Sequence, residues 1–137
     1  MKKIKFLLGT FILTCILSVN NVNAGKGISF VGITLPSWSG SYTSSNVTKQ
    51  ENSYQYTKTV TATDNITGGG RAISARVYGC NTSYVSAPKS SWVKLKDYNQ
   101  LTTVAGTAYK IQIKATKSTL AKVTYSGRWA LDESAKS

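Results

Sequence analysis

The sequence predicts an all-β chain: a single antiparallel β-sandwich, immunoglobulin-like or jelly-roll-like, of about seven short strands after a cleaved signal peptide. Three observations predict it. Several segments alternate apolar and polar residues with period two, the breaks between them are rich in Gly, Pro and Ser, and the first residues carry an export pattern.

The leader, residues 1–24, begins with Lys2, Lys3 and Lys5, continues as an apolar run from Phe6 to Leu17, and ends in Val22, Asn23 and Ala24, the small-residue pattern of a signal-peptidase site. That run is shorter than the roughly 20 residues a membrane-spanning helix needs, and no later stretch approaches it. No transmembrane segment is therefore expected in the mature chain, residues 25–137, which suits one domain with a modest core. Cys15 lies inside the apolar run and leaves with it. Cys80 is then the only thiol, which excludes an internal disulfide and leaves either a small buried residue near a strand end or a disulfide-linked dimer.

In residues 54–63 the apolar parity holds Tyr54, Tyr56, Val60 and Ala62, broken only by Lys58, and the other parity holds Gln55 and a row of threonines. The first row is predicted to face inward. Ile73, Ala75 and Val77 form a second inward row, Tyr109, Ile111, Ile113 and Ala115 a third, and Val123, Tyr125, Gly127, Trp129 and Leu131 a fourth, with Trp129 the clear core candidate. Shorter strands are expected at Ile28 to Leu35, Tyr42 to Val47 and Trp92 to Leu95. The intervening "LPSWSG", "DNITGGGR", "SAPKSS" and "AGT" carry turn chemistry, and Gly68 to Gly70 tolerate the positive φ that a tight connection demands.

The composition excludes much catalysis. With no histidine and one mature thiol, neither a hydrolytic triad nor a zinc site can form, so no catalytic residue, metal or cofactor is expected. The five acids are Glu51, Asp64, Asp97, Asp132 and Glu133. The only adjacent pair lies in a tail expected to fray, and the others stand beside turns or strands. Cleavage of the leader removes three of the 17 Lys and Arg and none of the acids, so the natural partners are anionic: an envelope or matrix polymer, or lipid head groups, held by charge without sequence-specific reading of nucleic acid.

Pairing residues 109–115 with 123–131 as a hairpin would gather Lys110, Lys114, Lys122 and Arg128 on one outer face. A second patch is expected at Trp92, Lys94 and Lys96, with Val93 and Leu95 inward. Trp38 and Tyr42 are aromatic in a stretch otherwise of Pro, Gly and Ser. Both are candidate ligand contacts, although for Trp38 a loop cap folded on the core is the favoured reading over a displayed ring. Sequons at Asn46, Asn65 and Asn81 read as incidental beside a lysine-rich, bacterial-looking leader.

The segments "ISFVGITLPSWSGSYTSS", "AISARVYG", "GTAYKIQIKAT" and "VTYSGRWALDE" resemble a group of small exported proteins of Gram-positive bacteria with no assigned function, through Leu35, Pro36, Gly40, Tyr42, Gly106, Gly127, Trp129 and Asp132. More distantly the chain is similar to lactococcin-type bacteriocins, without their histidine-containing pattern. The resemblance implies export and a β fold and no activity. The function expected is a secreted, non-catalytic binder of an anionic cell-envelope or matrix component, extracellular or wall-associated. Two alternatives remain: a bacteriocin-like or pore-forming protein using residues 54–63 and 71–78 as an amphipathic hairpin, and a matrix protein assembling through strand edges.

Overall fold

The computed structural model describes residues 25–80 and 82–136; the expected signal peptide, residues 1–24, lies outside the described residues, as do Asn81 and Ser137. The chain is all-β, with β1 (Gly27–Leu35), β2 (Ser41–Thr43), β3 (Val47–Thr48), β4 (Tyr56–Asp64), β5 (Ile73–Val77), β6 (Val85–Ser86), β7 (Val93–Lys94), β8 (Ala108–Tyr109), β9 (Ile111–Ala115) and β10 (Val123–Ala130), then a 3-10 turn at Glu133–Ala135. One antiparallel sheet has the order β1-β10-β4-β7 and a second the order β2-β9-β5-β6, with β3 and β8 paired separately. The inner rows of β5, β9 and β10 are buried as their alternation predicts, and they share one core with Phe30, Leu35 and Leu95, the arrangement of a β-sandwich.

Two expectations about pairing fail for one reason. β9 and β10 are not a hairpin, because residues 116–122 carry the chain from one sheet to the other. Ile113 and Val123 both point inward, yet they do so from opposite sheets. β4 and β5 are likewise in different sheets, so residues 54–63 and 71–78 do not form the amphipathic hairpin of the pore-forming alternative. A bridge between Thr63 and Gly70 starts that hairpin before the strands part.

The first half of β4 is inverted relative to expectation: Gln55, Thr57 and Thr59 are buried, whereas Tyr54, Tyr56 and Lys58 are half-buried on the outer side. The buried polar groups are satisfied. Trp129 Nε1 donates to Gln55 Oε1 at 2.8 Å and Gln55 Nε2 to Thr102 O at 3.1 Å, while the Thr57 and Thr59 hydroxyls donate to the carbonyls of Arg128 (3.0 Å) and Ala87 (2.9 Å). Val60 is then an extra residue: Thr61 pairs with Ser126 and Thr59 with Gly127, and this bulge returns Ala62 to the inside. β1 bulges at the same level, between Phe30 and Ile33, where Gly32 has φ 62°. Between the two bulges lies Gly127, with the Tyr125 ring folded beneath it.

Three carboxylates tie the loops. Asp132 is fully buried and, instead of fraying, accepts hydrogen bonds from the backbone N–H groups of Lys26 (2.6 Å), Gln50 (3.1 Å) and Glu51 (2.8 Å) and from Lys49 Nζ (3.0 Å). Lys49, also fully buried, donates to Ser53 Oγ and Leu131 O besides. Burial costs both charges. For Asp132 the bonds from Lys26, Glu51 and Lys49 outweigh that cost and hold the carboxyl below its ordinary pKa; for Lys49 burial is the larger effect and lowers the ammonium. Asp64 accepts from Arg71 and from the N–H groups of Ile66 (2.7 Å) and Thr67 (3.1 Å), which depress its pKa to about 2. Burial opposes ionisation of Asp97, but bonds from the Thr102 hydroxyl and from the N–H groups of Thr102, Leu101 and Asn99 outweigh it, again lowering the pKa.

A depressed folded-state pKa means that the unfolded chain takes up protons first as pH falls, so this stability is complete above about pH 4 and is lost on acidification toward about pH 2. Circular dichroism should record acid unfolding in that range and, since the chain has no histidine, no step between about pH 5 and 8. A transition near neutrality would contradict this assignment.

Candidate functional site

Because Thr57 and Thr59 point inward, their neighbours on β4 point out. Lys58 pairs directly with Arg128 of β10, and Tyr56 with Lys94 of β7. Opposed like charges on one face cost a few tenths of a kcal/mol or more. Aromatic rings stand among them: Trp92 has Lys58 Nζ at 4.9 Å and Arg128 Cζ at 5.7 Å from its centroid, Tyr54 has Lys94 Nζ at 4.2 Å, and Tyr56 has Lys136 Nζ at 3.9 Å. Each such contact offsets roughly 0.5–1 kcal/mol at an exposed site. Glu133 borders the face, accepting from the Tyr56 hydroxyl at 3.4 Å and pairing with Lys136 at 3.7 Å. Burial and Glu133 raise the Tyr56 pKa, so the phenol stays a neutral donor.

One outer sheet face therefore carries four cations around three rings. Trp92 and Lys94 lie on it as expected, with Leu95 buried behind them, and Lys96 is exposed two residues beyond β7. Tyr54, Tyr56, Lys58 and Lys136 were not expected there. The signal for them was Lys58 itself, since a lysine inside an aromatic row fits an outward row better than a buried one. Beside this face a cavity of about 540 Å³ opens between the sheets, lined by the threonines 59, 61 and 63, Arg71, Pro88 and Lys89.

The four cations expected together are dispersed, because the strands that carry them belong to different sheets. Arg128 belongs to the face just described. Lys114 lies on the second sheet, where it and Arg76 share the Tyr84 ring (4.2 and 4.5 Å), and Arg76 Nε donates to Gln112 Oε1 at 2.8 Å. Lys110 is half-buried between β8 and β9, and Lys122 is exposed just before β10. Tyr42 is a core-rim residue, meeting Phe30 edge to face at 5.9 Å. Trp38 is not a loop cap: its side of the turn is open to solvent. Cys80 is half-buried, and burial with Asp97 pushes its thiol pKa up.

Among the described residues no cluster of His, Cys, Asp or Glu could hold a metal, and no helix is long and apolar enough to cross a membrane. No family model, curated protein or solved structure matches the chain.

Proposed function

We propose that the protein, exported by residues 1–24, is a non-catalytic binder of an anionic polymer of a cell envelope or matrix, an acidic polysaccharide or a polyol phosphate. The observation that carries this reading is the single sheet face on which Lys58, Lys94, Arg128 and Lys136 surround Trp92, Tyr54 and Tyr56. Cations attract the polymer's acidic groups, and flat rings offer stacking surface to its sugar or polyol units. The acids are otherwise engaged: Asp64, Asp97 and Asp132 hold loop backbone. Assembly through strand edges is less favoured, because β2, β6 and β7 are only two or three residues long and β1 is bulged.

The test uses isolated Gram-positive wall polymer, an acidic polysaccharide and double-stranded DNA as probes. Affinity for the preferred polymer should fall at least tenfold between about 50 and 200 mM salt. Lys94→Glu with Lys96→Glu should weaken it by a similar factor, and Trp92→Ala should weaken a sugar polymer more than DNA. Unchanged binding by the charge-reversed variant would remove the sheet face as the site.

A further inference from the structure

Three crossover loops meet at one end of the sandwich. Residues 36–40 join β1 to β2, residues 65–72 join β4 to β5, and residues 116–122 join β9 to β10, all at the end where Leu35, Asp64 and Val123 lie in register. They are tied together: Trp38 N donates to Thr119 O at 2.6 Å, Asn65 N to Lys122 O at 2.9 Å, and Thr124 Oγ1 to Asn65 Oδ1 at 2.8 Å. Each loop holds one large apolar side chain in solvent, Trp38 at 65 %, Ile66 at 72 % and Leu120 at 68 % exposure.

The backbone enforces that display at Trp38. Trp38 and Ser39 adopt left-handed φ of 60° and 57°, a conformation costly for residues with a Cβ. Gly40 closes the turn so tightly that a Cβ there would stand 2.5 Å from Pro36 Cβ. The turn thus holds the indole away from the core.

Charge is distributed unevenly along the same axis. Lys117 and Lys122 are exposed in the third loop. Among the described residues the only acid at this end is Asp64, buried against Arg71, whereas Glu51, Asp97, Asp132 and Glu133 lie at the far end, beyond Tyr56 and Lys94 or beside Lys26. Three exposed apolar side chains on three separate loops, with two exposed lysines in one of them, suit a fluid, negatively charged interface better than a shaped protein partner, which needs one continuous apolar patch.

We propose that this end docks on an anionic lipid bilayer, with Trp38, Ile66 and Leu120 entering the interface and Lys117 and Lys122 facing the lipid phosphates. The surface is distinct from the basic aromatic sheet face, and the two can be tested separately. Residues 25–137, which contain the whole described core, should co-sediment with vesicles of phosphatidylcholine and phosphatidylglycerol at low salt, with a blue shift in Trp emission. Trp38→Ser, Ile66→Ser and Leu120→Ser combined should weaken vesicle binding at least tenfold, with unchanged circular dichroism and unchanged polymer binding. Lys117→Gln with Lys122→Gln should weaken binding to anionic vesicles and not to pure phosphatidylcholine. The proposal is overturned if the unmodified chain stays in the supernatant, or if the triple variant sediments as well as its parent, which would assign vesicle binding to the basic faces. Lys94→Glu with Lys96→Glu, harmless to vesicle binding and harmful to polymer binding, separates the two sites.

Discussion

Asp132→Ala should cost at least about 5 kcal/mol in urea unfolding, enough to leave a domain of ordinary stability largely unfolded. The carboxylate is fully buried and answers the N–H groups of Lys26, Gln50 and Glu51 together with the Lys49 ammonium. Removing it strands a buried charge, which alone costs about 3–5 kcal/mol, and adds unpaired backbone donors at about 1–3 kcal/mol each where water cannot replace the acceptor. Lys49→Met is the informative comparison. It deletes the other charge and keeps a side chain of similar volume, while Asp132 retains its three backbone donors, so the loss should be about half that of Asp132→Ala. Equal losses would mean that the ion pair, and not the anchoring of backbone, is what Asp132 contributes.

Gly127→Ala should be the most damaging single-methyl change in the sheet, at about 3 kcal/mol or more. A Cβ at Gly127 would meet the Tyr125 hydroxyl, stand 2.5 Å from Tyr125 Cζ and 2.6 Å from the Lys58 carbonyl oxygen. Two of those contacts are to a buried ring and one is to the backbone of the neighbouring strand, so relief requires the bulged centre of the sheet to move. Tyr125→Leu in the same chain should recover part of the loss and no more, since the Lys58 carbonyl remains. Tyr125→Phe alone should be neutral or stabilising by up to about 1 kcal/mol. The Tyr125 hydroxyl is buried without a hydrogen-bond partner among the described residues. The Thr57 and Thr59 hydroxyls temper the upward push of burial on its pKa, yet neither meets it in hydrogen-bond geometry, each already donating to a carbonyl. Thermal and urea unfolding of the three variants checks all three expectations.

The contrast between β5 and β4 explains how far the sequence could be read. In β5, Ile73, Ala75 and Val77 are apolar and their parity is inward, because burial of apolar area decides between two faces that differ in hydrophobicity. In β4 the choice lay between tyrosines and threonines. Tyrosine can lie on a surface, and threonine can be buried wherever a carbonyl accepts its proton. Those carbonyls belong to Arg128 and Ala87, far along the chain, so no local pattern signals them. Ten strands among the described residues in place of about seven reflect the same limit, since the two-residue strands β3, β6 and β8 are too short to alternate.

The candidate site followed suit. Trp92 and Lys94 were legible because Val93 and Leu95 beside them needed the core. Lys58, Tyr54, Tyr56 and Arg128 joined them only through the register of β4 with β10 and β7. The grouping of Lys110, Lys114, Lys122 and Arg128 failed because two inward rows meet equally well as paired strands or as facing sheets.

By itself, then, the sequence determined that this chain is all-β, where its long strands and tight turns lie, and which faces of β5, β9 and β10 are apolar. Each is a property of neighbours along the chain, set by alternation and by turn residues. Only the tertiary structure decided which sheet each strand joins, that β4 turns its threonines inward, that Asp132 and Lys49 are buried together, and that Trp38, Ile66 and Leu120 share one end. Those outcomes depend on donors, acceptors and surfaces brought together from distant segments, and their free energy exists only once the chain has folded.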